Sequence, residues 1–221
     1  MRAAVAVLAI AVSGAANATL TLCNGPDGCT IQGDGIENVL FPNVGDTGLV
    51  LTGSTNQTGT LIDFTSTEQM VITGGGQAKL EAVDGSLSNV VIDAQDDTIG
   101  FTHFVFNVHA DVTGEIAVSA IDNFGTLFDF GLNEASENGQ NYFTIGSLDD
   151  QFIKSVSISG SGITGIDELQ QVRVDPATLP GGGGGGGGGQ GNEVPIPAAA
   201  WLFGSGLLGI AGVSRKRRAN G

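Results

Sequence analysis

Between residues 59 and 174 the chain repeats one device: a short run rich in β-branched and aromatic residues, then a turn built around glycine. The runs are GTLIDFT (59–65), QMVIT (69–73), SNVVID (88–93), FTHFVFNVHA (101–110), GEIAVSAI (114–121), TLFDF (126–130), KSVSIS (154–159) and QQVRV (170–174). Such runs suit a pleated, half-buried backbone, and several alternate with period two. In KSVSIS, Val156 and Ile158 point one way while Ser155, Ser157 and Ser159 point the other, the pattern of a sheet wet on one face. Phe104, Phe106 and Val108 are read in the same way, as the inward row of their strand. Gly74-Gly75-Gly76, Asp84-Gly85, Asn123-Phe124-Gly125 and Asn138-Gly139 supply turns that tolerate positive φ. No stretch between 19 and 180 has helical periodicity. Many close-spaced strands without intervening helices predict an all-β antiparallel sandwich, jelly-roll-like in topology, and a span of about 160 residues is long enough to bury a two-layer core.

Charge is distributed unevenly along the chain. The whole sequence carries −15, yet residues 19–192 hold 22 acidic residues against only Lys79, Lys154 and Arg173, which leaves −19 on that span. Nucleic acid phosphates are bound chiefly through Lys and Arg, so this surface argues against a nucleic acid partner. It suits solubility, cations, and neutral or basic partners.

The N-terminus has the three parts of a secretory signal peptide over residues 1–18: Met1-Arg2, an apolar stretch from Ala3 to Val12, and Ala16-Asn17-Ala18. Cleavage by the general secretion machinery would leave Thr19 first. A short buried helix, the alternative, accounts for neither Arg2 nor the spacing of Ala16 and Ala18. Export places the chain in an oxidising compartment, where the only two cysteines, Cys23 and Cys29 in CNGPDGC, read as a disulfide closing a short loop. A nucleophilic cysteine is the alternative. Such a loop contributes roughly 2–3 kcal/mol on the chain-entropy account.

After the sheet region, residues 19–175, comes a change in composition. Residues 176–193 contain Pro176, Pro180 and nine consecutive glycines, and read as a flexible linker with a reach of about 20–25 Å. Ile196 to Val213 then carries no charge and, as a helix, would run about 27 Å, close to the hydrocarbon thickness of a bilayer. Trp201 sits near one edge of it, and Arg215, Lys216, Arg217 and Arg218 form a basic stop on the cytoplasmic side.

Residues 194–218, with Val-Pro-x-Pro, a Gly-rich apolar helix and an Arg-rich end, resemble the PEP-CTERM sorting signal of exopolysaccharide-producing Gram-negative bacteria. That resemblance implies recognition by exosortase, a membrane-embedded cysteine transpeptidase-like enzyme, through Val194, Pro195 and Pro197. Ile196 departs from the pattern, which has Glu there. The resemblance further implies a transient inner-membrane intermediate, then delivery to the cell surface or extracellular matrix; a permanent C-terminal anchor is the alternative. The stretch 141–174 is similar to the last strands of many PEP-CTERM ectodomains, which look like jelly rolls of the kind found in carbohydrate-binding modules. The sorting signal and the acidic jelly-roll-like domain together point to a structural or weak polysaccharide-binding role, with exopolysaccharide as partner and no enzymatic activity; a carbohydrate-active hydrolase is the competing reading.

Candidate site residues are few. His103 and His109 lie on one face of a strand about 20 Å apart, too far to share a metal ion, and read as surface side chains. Asp93, Asp96 and Asp97 offer oxygen ligands suited to Ca²⁺, against the alternative of a solvated turn; no other cofactor is implied. Tyr142 is the only tyrosine, read as strand-end packing with a binding platform as the alternative.

Overall fold

Alternation becomes structure most plainly at residues 153–160, where buried Ile153, Val156 and Ile158 interleave with half-buried Ser155, Ser157 and Ser159. The structure, a computed structural model, describes residues 19–24, 35–137, 141–148, 151–162 and 164–180. The chain divides into two units, Met1–Gly183 and Gly184–Gly221, and every described residue lies in the first. Residues 1–18 with Ala16 and Ala18, Cys29, most of the linker, the sorting motif Val194, Pro195, Ile196 and Pro197, and the basic end all lie outside the described residues. Among the described residues no helix is long and apolar enough to cross a membrane.

Twelve strands are described: β1 (Leu20–Asn24), β2 (Glu37–Leu40), β3 (Thr47–Thr55), β4 (Leu61–Gly75), β5 (Ala78–Ala82), β6 (Asn89–Ala94), β7 (Ile99–Ala110), β8 (Gly114–Asp122), β9 (Leu127–Ala135), β10 (Asn141–Ser147), β11 (Ile153–Gly160) and β12 (Ile166–Thr178). Every pairing between them is antiparallel. They follow the order β1-β10-β7-β12-β2-β3-β4-β6-β11-β8-β9, with β5 bridging β12 and β4. Phe101 of β7 also pairs with Ile153 of β11. The pairings therefore close a ring through β7, β12, β5, β4, β6 and β11, and the all-β antiparallel fold is barrel- or sandwich-like. We call β1-β10-β7-β12-β5 the first layer and β3-β4-β6-β11-β8-β9 the second, with β2 joining them between β12 and β3.

The segments at 59–65 and 69–73 are one strand, β4, because its two halves have different partners. Leu61–Thr65 pairs with β3 and β6, and Met70–Gly75 pairs with β5. β3 carries a weaker pattern because it contains Gly48 and Gly53. A Cβ at Gly53 would come within 2.8 Å of Val39 Cγ1, so the close approach of β2 to β3 requires glycine there. The sheet also takes in residues expected to open the linker. β12 runs to Thr178, and a register shift between Asp175 and Pro176 lets the proline pair opposite Phe101.

Between the layers lies an aromatic row. Phe101, Phe104, Phe106 and Phe143 form a chain of rings with successive centroids 5.7, 6.1 and 5.3 Å apart. All are buried, and each contributes on the order of 2–3 kcal/mol of apolar burial. Phe104, Phe106 and Val108 are thus an inward row as read from the sequence. The opposite row of β7 is not wet, however: Val105 is 1 % exposed and Asn107 0 %. β7 sits between β10 and β12 with both of its faces covered.

Candidate functional site

The three aspartates read as a calcium site do not converge. Asp96 Oδ1 accepts from Thr98 N at 2.8 Å and Thr98 Oγ1 at 2.7 Å, which closes a local turn and holds its carboxyl below the usual range. Lys154 Nζ donates to the carbonyls of Asp97 and Ile99, so an ammonium already serves that turn's oxygens. Asp93 sits back in β6, opposite Asp63 of β4. Among the described residues no group of three or more His, Cys, Asp or Glu is placed to hold a metal ion. Cys23 is disulfide-bonded, and Cys29, the other cysteine of the sequence, lies outside the described residues.

His103 is a second departure: it is buried, 4 % exposed, with Nδ1 3.8 Å from Asp175 Oδ2 and no hydrogen-bond partner at Nε2. It belongs to the same covered row of β7 as Val105 and Asn107. His109, further along, is half-buried and accepts at Nε2 from Gln170 Nε2 at 2.8 Å.

Residues of four strands meet at a cleft of about 600 Å³ at the end of the domain where β10 begins. Asn24 of β1, Asn141 and Tyr142 of β10, Glu115 of β8 and Glu134 of β9 are among the residues that line it. Glu115 and Glu134 are directly opposite in the β8–β9 register, both exposed. Like charges so placed repel, and among the described residues no counter-ion offsets them. Asn141 is committed to the fold, since its Nδ2 donates to Val108 O and Ser136 O, both at 2.8 Å, and its Oδ1 accepts from Ser136 N. The cleft therefore presents two exposed carboxylates, with half-buried Tyr142 among its lining residues.

Tyr142 connects this cleft to the covered row of β7. Phe143 points into the core, so Tyr142 points to the outer face of the first layer, and its hydroxyl donates to Gln171 Oε1. In register, Asn107 lies between Tyr142 of β10 and Gln170 of β12. The contact from Tyr142 to Gln171 accordingly crosses β7 at Asn107. Beneath it, both the Nδ2 and the Oδ1 of Asn107 are buried without a hydrogen-bond partner. Each unmade bond at a buried polar group costs about 1–3 kcal/mol, more than a Leu of the same shape would. Gln171 itself has φ +54°, the one non-glycine with positive φ among the described residues. It sits in a bulge of β12 between Gln170 and Arg173, and the conformation costs roughly 1–2 kcal/mol.

Of these residues the sequence singled out only Tyr142. Asn107 is the polar member of FVFNVH, in the row that alternation assigns to solvent, where a polar side chain carries no signal. The pair Gln170-Gln171 breaks alternation in β12, which is the one sequence signal of the bulge. Glu115 and Glu134 became a pair only when the β8–β9 register brought them together.

No family model and no curated protein matches the chain. Among solved structures it is similar to a family 29 carbohydrate binding module from Piromyces equi, at 10 % identity over 72 % of this chain and 90 % of that one, with TM-score 0.29. It is also similar to a variant of a second family 29 module complexed with mannohexaose, at 14 % identity over 65 % and 92 % of the two chains, with TM-score 0.28. With so little of the backbones superposing, the likeness carries neither topology nor ligand over to this chain.

Proposed function

We propose that this chain is an exported cell-surface or matrix protein, sorted by exosortase through residues 194–218, whose jelly-roll-like domain binds polysaccharide weakly and catalyses nothing. The observation that carries the binding half is the cleft at Tyr142. An open trough with one stacking ring and acceptor carboxylates suits the hydroxyl-rich, ring-faced chemistry of a sugar chain. The absence of tryptophan from the described residues suits weak rather than tight binding. The sorting half rests on the sequence order of motif, uncharged apolar stretch and basic end at residues 194–218.

Retention of the purified full chain on the exopolysaccharide of its host cell, with and without Ca²⁺, tests the binding half. Retention in either condition supports it, and passage through in both removes it. The intact mass of the surface form tests the sorting half: a chain beginning at Thr19 and lacking the apolar helix is expected. A mass that includes the helix indicates a permanent anchor instead.

The opposed carboxylates of Glu115 and Glu134 favour one second reading, hydrolysis of a glycosidic bond by an acid and a nucleophile or base. It predicts turnover on a polysaccharide panel that disappears in Glu115→Gln or Glu134→Gln. Retention without turnover decides for binding.

A further inference from the structure

Asn107 is an anomaly for a structural residue: a carboxamide in the middle of β7, 0 % exposed, with donor and acceptor both idle. A side-chain contact, Tyr142 to Gln171, crosses β7 at its register position, anchored on one side by a glutamine held at φ +54°. Tyr142 is also one of the residues that line the open cleft. An idle donor and acceptor side by side, under a latch that a rotation of one side chain opens, is an arrangement that stores a binding site.

We propose that Asn107 is the residue that reads the ligand, and that it does so when Tyr142 swings off Gln171 to stack on a sugar ring. This rests on the polysaccharide reading above and deepens it. A carboxamide offers N–H to one hydroxyl oxygen and accepts O–H from the next, which matches two vicinal hydroxyls of a hexose. Glu115 and Glu134 line the cleft that Tyr142 also lines and bring uncompensated negative charge to it, which disfavours carboxylated sugars. The ligand class is therefore a neutral hexose polymer. Opening exposes Asn107 and frees Gln171 Oε1 together, so the latch energy is subtracted from binding and affinity is low by construction.

Two variants of the full chain separate this from a structural role, read by native affinity electrophoresis through soluble glucan, mannan, galactan and the polyanion alginate, together with thermal melts. Asn107→Leu keeps the shape and removes both polar groups. Its expected result is a higher Tm and at least a tenfold loss of retardation by the neutral polysaccharide that retards the wild type. Gln171→Gly relieves the backbone and removes the latch acceptor, and is expected to tighten the same binding about two- to fivefold. Asn107→Leu binding as well as wild type, or Gln171→Gly weakening binding, overturns the role of Asn107 while leaving the polysaccharide reading intact. Wild type retarded by alginate in preference to every neutral polymer overturns the ligand class. Wild type retarded by none of the four overturns this inference, and passage through the host exopolysaccharide as well overturns the polysaccharide reading with it.

Discussion

The two layers have outer faces of opposite kinds. On the second, β6 and β11 pair with Asp93 opposite Ser155 and Val91 opposite Ser157, and that row meets water while Ile92, Val156, Val90 and Ile158 fill the core. On the first, the corresponding row of β7 is His103, Val105 and Asn107, all buried, and it carries polar groups with nothing to bond. A wet face relaxes its polar side chains into solvent and tolerates almost any of them. A covered one must satisfy each group or retain it for another reason, and the row of β7 holds groups that the fold leaves unsatisfied.

The sharpest way to test the comparison is from its shared interior. Phe106→Ala removes a ring stacked on Phe143 at 5.3 Å and is expected to cost about 3–5 kcal/mol in denaturant unfolding. A loss below about 1 kcal/mol would mean that β7 does not pack as described.

Next in size is Asp111, between β7 and β8. Its Oδ1 accepts from Val112 N and Gly165 N, both at 2.7 Å. Burial pushes its carboxyl up, but the hydrogen bonds from Gly165, Ser86 and Val112 win and hold it below the usual value. Asp111→Ala is expected to cost about 2 kcal/mol at neutral pH. Because the folded-state pKa is depressed, this contribution is fully present above the unfolded value near 3.8 and is lost as pH falls through the folded one. Melts from pH 7 to pH 2 should show wild type and variant converging at the acid end.

Asp93 has the opposite sign. Burial first, and then the charge of Asp63 across the β4–β6 pair, raise its carboxyl pKa against the smaller pull of Lys154. A raised pKa penalises the fold at pH above the folded value, and the penalty fades as pH falls toward the unfolded one. Asp93→Asn should therefore stabilise at pH 7, by less than about 1 kcal/mol given its partial exposure, and be neutral at pH 3. A destabilised variant would show that the second layer's outer face is not simply wet.

The smallest effect belongs to Ser157→Ala, on the same solvated face, expected within about 0.5 kcal/mol of wild type by the same unfolding measurement.

The same contrast explains what the sequence could and could not tell. KSVSIS was legible because one of its faces is wet, so hydrophobicity and direction coincide in Val156 and Ile158. In FTHFVFNVHA the two do not coincide, since Val105 and Asn107 are as buried as Phe104 and Phe106, and alternation identified only the inner row. β4 was divided because partner exchange midway along a strand leaves no local mark. Asp93, Asp96 and Asp97 lie close in the sequence, but among the described residues no group of three such side chains is placed to hold a metal ion, and Thr98 and Lys154 already bond Asp96 Oδ1 and the turn's carbonyls. Tyr142 was visible as a singular residue, yet its meaning depends on Asn107 and Gln171, residues 35 and 29 positions away by number that only the β10-β7-β12 register brings together.

Hydrogen–deuterium exchange of the full chain, with and without a saturating neutral polysaccharide, tests directly whether the covered face is the ligand face. Uptake should fall at residues 141–143 and 170–173 and stay unchanged at 89–93 and 155–159. Protection confined to the second layer would contradict the account.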